Sequence, residues 1–416
     1  MTPETDVLIV GAGPAGLAAA IELKRQGVAN VTVVEREPEV GGIPRFCAHT
    51  GFGLQDLHRL LSGPSYARYY AAQAKAVGVD LHTATTITGW EGERSLAYTS
   101  PDGIGTLTAK AILLATGVRE RPRPARLIPG TRPHGVFTTG ALQRFVYERH
   151  LPVGKKAVIV GAEAVSLSAV MTLREAGLEV VALLTEHPHH QLYFPYSLGK
   201  FWLLDLIRRT PILTSTRLQR IMGARRVEAV EVLHTADGRT ETIPCDTVVF
   251  TGDWIPENEI ARSGGLIIDR HTLGPQVDGG HRTSRKGIFA AGNLLRGAES
   301  AATSALEGRA AAREIVRFLT DGRWPDVRLP IAVEAPIAWI YPNTLTAFDI
   351  ASPRRTFDFR VQTFVEGATV QIRQGTKHLY SRTFRHLGPN ETMHLDGRWL
   401  AQVALDGEPP VLSVEA

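Results

Sequence analysis

Three glycines near the start of the chain have the spacing of a dinucleotide-binding turn. Gly11, Gly13 and Gly16 follow an apolar run in the order G-x-G-x-x-G, and the small residues after them predict a helix. The first glycine makes the bend, the second lets a pyrophosphate approach the backbone, and the third lets helix and strand pack closely. The helix N-terminus adds unpaired N–H groups and a partial positive charge. Glu35 ends the next strand, where a carboxylate accepts hydrogen bonds from a ribose hydroxyl.

Two later segments indicate which dinucleotide this turn binds. "AILLATGVRE" (111–120) predicts a buried strand ending in Ala-Thr-Gly, and "TSRKGIFAAGNLLRGAESAATSALEG" (283–308) predicts a strand, a turn and a small-residue helix. In this order the three motifs resemble the signatures of glutathione reductase-like flavoproteins, which have two dinucleotide domains. The resemblance implies FAD as the cofactor, with Asn293 where that family usually has Asp. The expected cofactor-binding residues are Gly11, Gly13, Pro14, Ala15, Gly16, Glu35, Arg36, Gly42, Arg45, Ala115, Thr116, Gly117, Gly292 and Asn293.

A second turn of the same design is altered. In "KKAVIVGAEAVSLSAVMTLREAGLEVVALLTE" (155–186), Glu163 and Ser166 replace the second and third glycines. A carboxylate at this helix start is expected to take the helix's partial positive charge for itself. Two like charges about 4 Å apart cost roughly 4 kcal/mol at an effective dielectric near 20. Glu186 remains as a candidate for binding a ribose hydroxyl, but it does not compensate for a blocked phosphate turn. We therefore expect this site not to use NAD(P)H; the alternative is a permissive variant of the turn that still binds it.

Longer segments resemble a narrower group of flavoproteins. "GGIPRFCAHTGFGLQDLHRLLSGPSYARYY" (41–70), "ATGVRERPRPARLIPGTRPHGVFTTGALQ" (115–143) and "VGAEAVSLSA" (160–169) look like the FAD-containing subunits of heteromeric amine and imino-acid dehydrogenases. That group includes opine oxidases, hydroxyproline and proline dehydrogenases, and hydrogen cyanide synthase. The resemblance covers residues 1 to about 325, and it implies an amine, amino-acid or imino-acid substrate and a second flavoprotein subunit. Many such subunits carry cysteines for a [2Fe–2S] cluster, which this chain, with Cys47 and Cys245 alone, does not.

The loop after the second strand carries the catalytic candidates. Arg45 is a candidate for stabilising reduced flavin or anchoring a carboxylate, and His49 is a candidate acid or base; structural roles are the alternatives. Cys47 is interpreted as a buried structural thiol because no second cysteine lies near it. The histidine-rich stretch "EHPHHQLY" (186–193) has poor metal spacing and no set of carboxylates. We therefore predict no metal site, and we expect this stretch to fill the altered second turn.

The order of the motifs predicts an α/β fold. We expect two Rossmann-like dinucleotide-binding domains of the glutathione reductase-like type, the second inserted into the first, and a small C-terminal β-domain. The expected boundaries are 1–122 and 255–330 for the FAD-binding domain, 123–254 for the second domain and 331–416 for the β-domain. "FDFRVQTFVEGATVQIRQGTKHLYSRTF" (357–384) and "WLAQVALDG" (399–407) predict about four to six short antiparallel strands. An interface for a partner or a second copy is the expected role, and a lid over the FAD domain is the alternative.

Composition limits the class of protein. A chain of 416 residues is too long for one compact core, and its formal charge of +4 is modest. The basic cluster "RERPRPAR" (119–126) is interpreted as a solvated, proline-stiffened connection, so no nucleic-acid partner is predicted. The start lacks the basic segment of a secretory signal, and no apolar stretch approaches the roughly 18–20 residues of a membrane span, so we expect a cytoplasmic protein. Residues 193–209 predict a core or subunit-contact helix, with membrane docking as the alternative.

These features predict an FAD-dependent oxidoreductase. We expect a subunit of a heteromeric dehydrogenase or oxidase that relays electrons from an amine, amino acid or imino acid through FAD. One alternative is a stand-alone NAD(P)H-dependent flavin oxidoreductase that passes electrons to a partner or a small acceptor. The other is a non-catalytic scaffold subunit stabilised by FAD. Reduction of the flavin by NAD(P)H alone, by partner plus amine, or by neither separates the three hypotheses.

Overall fold

The chain forms two compact units. The computed structural model describes residues 4–193, 196–200, 210–351 and 356–415. The first unit comprises Met1–Arg45, Thr50–Val118 and Pro256–Ala416, and the second comprises Phe46–His49 and Arg119–Ile255. Of the segment 193–209, for which a helix is predicted, residues 194–195 and 201–209 lie outside the described ranges. Among the described residues, every helix is too short or too polar to cross a membrane.

The helices and strands follow one another in three stretches of the chain. The first contains β1 (Glu4–Val10), α1 (Pro14–Arg25), β2 (Val31–Val34), β3 (Thr50–Phe52), β4 (Leu61–Ser62), α2 (Gly63–Ala76), β5 (Asp80–His82), β6 (Thr86–Trp90), β7 (Ser95–Ser100), β8 (Gly103–Leu114) and β9 (Val118–Glu120). The second contains β10 (Val136–Thr138), α3 (Thr139–Gln143), β11 (Lys156–Val160), α4 (Ala164–Glu175), β12 (Glu179–Leu184), α5 (Tyr196–Lys200), β13 (Ile212–Leu213), β14 (Thr216–Met222), β15 (Ala229–His234), β16 (Thr240–Pro244), β17 (Thr247–Phe250) and β18 (Trp254–Pro256). The third contains α6 (Glu259–Ser263), β19 (Ile288–Ala290), α7 (Ala301–Asp321), β20 (Leu329–Pro330), β21 (Ala332–Val333), β22 (Ile337–Tyr341), β23 (Thr344–Leu345), α8 (Ala347–Ile350), β24 (Thr356–Val361), β25 (Val365–Gln374), β26 (Lys377–Leu387), β27 (Met393–Asp396) and β28 (Val411–Glu415).

A seven-stranded sheet forms the centre of the first unit. Its order is β5-β2-β1-β8-β7-β6, with β19 also paired to β8. Strand β1 runs parallel to β2 and β8, and β19 runs parallel to β8. Side chains of β1 alternate between two buried clusters, Val7 and Ile9 on one face and Leu8 and Val10 on the other. Both faces are therefore covered, as a parallel sheet requires.

Helices α1 and α7 cross on one face of this sheet at close range. Gly308 makes the crossing possible, because a Cβ there would collide with the carbonyl oxygen of Ala15. Helix α1 begins with Gly13 at the N-cap and Pro14 in its first turn, and α7 begins at Ser300, whose hydroxyl accepts the Thr303 N–H at 3.0 Å. The crossing places the start of α1 against Gly308, about two turns into α7.

The second unit repeats the same design on a smaller scale. Its five-stranded parallel sheet has the order β10-β17-β11-β12-β13, and the antiparallel strands β14-β15-β16 form a separate sheet. Helix α4 follows β11 and buries Leu167, Val170 and Leu173 in one cluster with Ile159. The parallel strands of the two sheets, with their helices, confirm the predicted α/β class with two Rossmann-like domains.

The C-terminal residues form two small sheets, which have the orders β21-β28-β25-β26 and β22-β24-β27. Their inner faces share one apolar cluster, in which Phe357 and Trp399 stack with ring centroids 4.9 Å apart. The prediction of a strand at residues 399–407 is wrong. Arg398–Gln402 is a 3-10 helix, since Trp399 and Leu400 are both fully buried and therefore do not alternate between two faces as strand residues do.

Candidate functional site

The expected cofactor residues meet at one edge of the seven-stranded sheet. Strands β1, β8 and β19 all end there, and parallel sheets bind ligands at the carboxyl ends of their strands. Gly11 has a φ of +106°, and its neighbours across the sheet are Ala115 and Thr116. A Cβ on Gly16 would collide with the Gly11 carbonyl oxygen, so the third glycine is needed for α1 to begin directly above the turn.

Two loops approach the start of α1 closely. A Cβ on Gly42 would lie 2.9 Å from the Gly13 Cα, and a Cβ on Gly292 would lie 2.7 Å from the Ala15 Cβ. By contrast, a Cβ on Gly13 would meet no described atom within 4 Å. The space beside the second glycine is therefore open, and the first N–H groups of α1 are directed at it.

Glu35 supplies the acceptor that the turn needs. Its carboxylate is buried and accepts the Ala12 N–H at 2.8 Å and the Glu37 N–H at 3.0 Å. A carboxylate has lone pairs for further donors, so a ribose hydroxyl can still bind. The open space at Gly13, the helix N-terminus and this carboxylate together fit the pyrophosphate and ribose of FAD.

Four predicted residues at the edge of the site have protein partners of their own. Arg36 lies 3.5 Å from the Glu257 carboxylate, and Arg45 donates to the Glu39 carbonyl at 2.9 Å and pairs with its carboxylate at 3.2 Å. The Asn293 side-chain oxygen accepts both the Glu299 N–H and the Ser304 hydroxyl, each at 3.0 Å. Thr116 donates to the Glu257 carbonyl at 2.7 Å.

The other catalytic candidate, His49, belongs to a different unit from Arg45. His49 is half-buried and belongs to the second unit with Cys47, whereas Arg45 belongs to the first. The Cys47 sulfur lies 3.7 Å from the Gln143 amide oxygen, and burial raises the pKa of the thiol to about 12. A thiol with so high a pKa is not a nucleophile near neutral pH.

Sequence reasoning missed the acidic residues that hold these loops. Glu257 binds Arg36 and the strand-end Thr116, and Glu307 of α7 accepts the Gly292 N–H at 3.0 Å. Glu307 also pairs with the buried Arg296. The sequence contains one signal, because Glu307 is the only charged residue in the small-residue stretch "AATSALEG" (301–308).

The altered turn of the second unit keeps the backbone of the first. Gly11 donates its N–H to Val34 and Gly41 donates to Ala12; in the second unit Gly161 donates to Leu184 and Gln191 donates to Ala162. All four distances lie between 2.8 and 2.9 Å. The histidine-rich stretch thus ends beside the turn, as its counterpart does in the first unit. Among the described residues no group of His, Cys, Asp or Glu has a geometry suited to a metal.

This correspondence changes the assignment of the ribose residue. Leu184 matches Val34, so Thr185 occupies the place of Glu35 and Glu186 that of Arg36. The expectation that Glu186 meets a ribose in the manner of Glu35 is therefore wrong by one position. A threonine hydroxyl stands where the first site has a carboxylate acceptor.

At the second turn, Glu163 fills the space that corresponds to the open space beside Gly13 at the first turn. It is the N-cap residue of α4, with φ −108° and ψ −177°, an extended conformation that any residue adopts. Its side chain turns toward the ends of β11 and β17, where it hydrogen-bonds to Thr251 and packs against Gly252. The expected capping of α4 by this carboxylate is not observed, because its side chain makes no bond to the helix N–H groups.

Burial also reverses the electrostatic argument made from the sequence. Desolvation, supported by the nearby Glu120 carboxylate, raises the pKa of Glu163, against the opposing effects of Thr251 and Arg126. A buried acid with a raised pKa is held toward its neutral form. Glu163 therefore obstructs the site by occupying it rather than by repelling phosphate.

We expect Glu163→Gln to become progressively more stabilising, relative to the native chain, as pH rises. A carboxyl with a raised folded-state pKa contributes its full stability below its unfolded pKa and loses it as pH rises through the folded value. Glutamine does not titrate, so the gain is expected to grow by up to about 1.4 kcal/mol per pH unit in that window. Thermal unfolding of both proteins from acid to alkaline pH measures it. Glu179→Gln, at an exposed position, is the control. If the stabilities of the native and Glu163→Gln proteins change with pH in the same way, the prediction is contradicted.

A cavity of about 330 Å³ lies beside the altered turn, within the second unit. Val160, Leu184 and Phe250 form its apolar wall. Arg126 stacks on the Phe250 ring at 5.1 Å and donates to the Thr251 and Gly252 carbonyls.

The basic cluster 119–126 is therefore not the solvated connection that was expected. Arg123 is buried and donates to the carbonyls of Ile128, Pro129 and Thr131, so at least two of its arginines hold loops in place.

Comparisons with known proteins agree with this architecture. An opine oxidase subunit of Agrobacterium tumefaciens (strain Ach5) is 29% identical over 336 residues, which cover 74% of this chain and 64% of the relative. The alpha subunit of a sarcosine oxidase from Rhizobium meliloti (strain 1021) is 26% identical over 400 residues, 90% of this chain and 36% of the relative. The chain thus spans less than two thirds of the length of these relatives.

The crystal structure of T. acidophilum thioredoxin reductase matches 77% of this chain and 99% of its own, with a TM-score of 0.63 and 20% identity, and shows the same fold. The model of the pyridine nucleotide-disulphide oxidoreductase family matches residues 5–308. That range includes both glycine turns and the strand β19. The chain accordingly belongs to the pyridine nucleotide-disulphide oxidoreductase family, and its cofactor is FAD.

Proposed function

We propose that the chain is the FAD-binding subunit of a heteromeric dehydrogenase or oxidase. Its substrate is an amine, amino acid or imino acid, and it relays electrons through FAD in the cytoplasm. Two similar proteins support the proposal by name, since one is a subunit of an opine oxidase and the other a subunit of a sarcosine oxidase. Both names denote enzymes that oxidise substituted amino acids and are built from more than one subunit.

One observation carries the proposal. The two glycine turns have matching backbones, yet the space beside Gly13 is open and the equivalent space is filled by the side chain of Glu163. A pyridine nucleotide needs its pyrophosphate at that second turn. The chain is therefore built to hold FAD but not the NAD(P)H that would reduce it, which favours an organic substrate as the electron source.

The residues of the first turn have defined tasks in this function. FAD, when bound, supplies the two-electron redox chemistry. Gly13 and the first N–H groups of α1 are proposed to hold the pyrophosphate, and Glu35 the ribose. Gly42, Gly292 and Asn293 shape the walls of the same space, and the 2.9 Å bond between Arg45 and the Glu39 carbonyl fixes the loop after Gly42.

A second flavoprotein subunit is the proposed partner. The β-domain is a proposed surface for that subunit or for a second copy of the chain, because β26 is an edge strand with eleven residues. Edge strands present unpaired N–H and C=O groups that favour pairing with another chain.

Anaerobic flavin bleaching tests the proposed function. The chain is co-purified with an amine-oxidising flavoprotein as the second subunit and mixed with sarcosine, L-proline or an opine, and the flavin absorbance band is followed. We expect bleaching by at least one of these substrates in the complex, and none by NADH or NADPH with the chain alone. Bleaching of the isolated chain by NAD(P)H would favour a stand-alone reductase. A flavin that no donor bleaches would favour a scaffold subunit.

A further inference from the structure

The loop between β19 and α7, residues 291–300, lies at the start of α1. Gly292 approaches Ala15 so closely that a Cβ on the glycine would lie 2.7 Å from the alanine Cβ. The loop begins where β19 ends, at the same sheet edge as the loops after β1 and β8. It therefore forms one wall of the open space beside Gly13.

The FAD domain holds this loop at its two ends. Glu307 of α7 accepts the Gly292 N–H at 3.0 Å, and the Asn293 side-chain oxygen accepts the Glu299 N–H at 3.0 Å. These bonds fix residues 292–293 and draw residue 299 back toward them. The middle of the loop contains Arg296, which also pairs with Glu307.

The β-domain holds the middle of the loop. Arg360 donates to the Ala298 carbonyl at 3.1 Å and to the Glu299 carboxylate at 2.7 Å, and the Thr392 hydroxyl donates to the same carboxylate at 2.9 Å. Asp358 lies two residues before Arg360 on β24, on the same face of the strand, and lies 3.3 Å from Arg296. Two charged side chains of one strand thus bind one loop.

The burial of Arg296 makes the contacts between the loop and the β-domain energetically unfavourable to break. Its side chain is about 1% exposed, lies between the carboxylates of Glu307 and Asp358, and stacks on the Tyr341 ring at 4.0 Å. Two of its nitrogens, Nε and Nη1, have no hydrogen-bond partner among the described residues. A buried charge that loses a partner is strongly destabilised, so the loop and the β-domain must stay together.

We propose that the C-terminal β-domain is a positioning element for FAD: Asp358 and Arg360 fix the 291–300 loop against the start of α1 and thereby set how long the cofactor stays bound. A loop held from both sides is already ordered before FAD binds, so binding does not have to supply the ordering free energy. This role is independent of the substrate, and it gives residues far along the chain from the loop control over the cofactor.

Arg360→Met tests the proposal on the full chain. Methionine keeps an apolar stem beside Trp339, whose ring lies 5.3 Å from the guanidinium, but removes the hydrogen bonds that Arg360 donates to Ala298 and Glu299. We expect FAD to leave the variant roughly tenfold faster, because hydrogen bonds to charged groups are the stronger ones. Dilution into excess competing apoflavoprotein, followed by the rise in flavin fluorescence, measures the rate. Arg373→Met is the control, since Arg373 lies in the same domain and pairs with Glu415.

Two further measurements separate a positioning role from general destabilisation. If Arg360 acts through Glu299, Glu299→Gln also accelerates release, and the double variant releases FAD little faster than either single variant. The gain in Tm on FAD binding should also shrink, whereas a merely structural residue lowers the Tm of the FAD-free and FAD-bound forms alike. Release at the native rate in Arg360→Met, or fully additive effects of the two changes, would overturn the proposal. The flavin content of the native chain is measured separately, so failure here leaves the proposed amine oxidation untouched.

Discussion

Gly13→Asp is expected to abolish FAD binding while leaving the fold intact. The new Cβ would meet no described atom within 4 Å, so the change needs no repacking. Aspartate is a favoured N-cap residue, and compared with the N-cap glycine it should stabilise α1 by a few tenths of a kcal/mol through a bond to the first-turn N–H groups. Those N–H groups are the ones that the pyrophosphate needs.

The expected loss of affinity is large. A carboxylate about 4 Å from a phosphate costs roughly 4 kcal/mol at an effective dielectric near 20, which corresponds to about a thousandfold. Purified Gly13→Asp should therefore carry little or no flavin, and its absorbance spectrum should lack the yellow band. Thermal unfolding of the FAD-free form should occur at or above the temperature of the FAD-free native chain.

Gly13→Asn is the matched control. Asparagine has nearly the same shape as aspartate and also caps helices, but it carries no charge. We expect it to keep more FAD than Gly13→Asp, by the part of the loss that is electrostatic. Full flavin content in Gly13→Asp would show that the pyrophosphate does not lie at this turn.

The first turn is the part of the molecule that the sequence predicts best. Gly11, Gly13, Gly16 and Glu35 act within one strand, turn, helix and strand, so their spacing along the chain fixes their spacing in the fold. The Ala-Thr-Gly at 115–117 follows for the same reason, because β8 is the neighbour of β1 and both strands end at the same edge.

The second turn shows where local patterns are insufficient. Glu163 was expected to face the helix and remain charged, but the direction of its side chain depends on Thr251 and Gly252, nearly ninety residues later. The same applies to Thr185, since the end of a strand is defined by hydrogen bonds to its neighbour rather than by its composition. Neither the direction of the Glu163 side chain nor the exact end of the strand before Thr185 can be derived from spacing along the chain.

The contacts of the β-domain with the 291–300 loop could not be predicted from the sequence, for a related reason. Asp358 and Arg360 lie two residues apart on a short strand. Charged residues at this spacing are typical of any solvent-exposed sheet face. Only the packing of β24 against the loop shows that their partners are Arg296 and Glu299. The prediction that the β-domain binds a partner follows from its edge strands. Edge strands carry no information about a role toward the cofactor.

Mixing the native protein with NADH or NADPH should leave its flavin oxidised. Glu163 occupies the place of the pyrophosphate, and Thr185 lacks the carboxylate with which Glu35 serves the first site. The pyrophosphate and one ribose of a pyridine dinucleotide thus each lose a contact. Anaerobic stopped-flow mixing, with the flavin absorbance as the readout, measures the reduction directly.

Glu163→Gly should restore some nucleotide binding, because it opens the turn and lets a phosphate approach the N–H groups of α4. Ser166 and Thr185 remain, so we expect weak binding, detected by calorimetry with NADH, rather than fast reduction. Glu163→Gln keeps the side chain in place and removes only its ability to ionise. If occupancy is the obstacle, glutamine should bind no better than the native residue; if charge were the obstacle, glutamine and glycine should improve binding alike. Fast reduction of the native protein by NADH, with the glycine variant no faster, would instead identify a stand-alone NADH-dependent reductase.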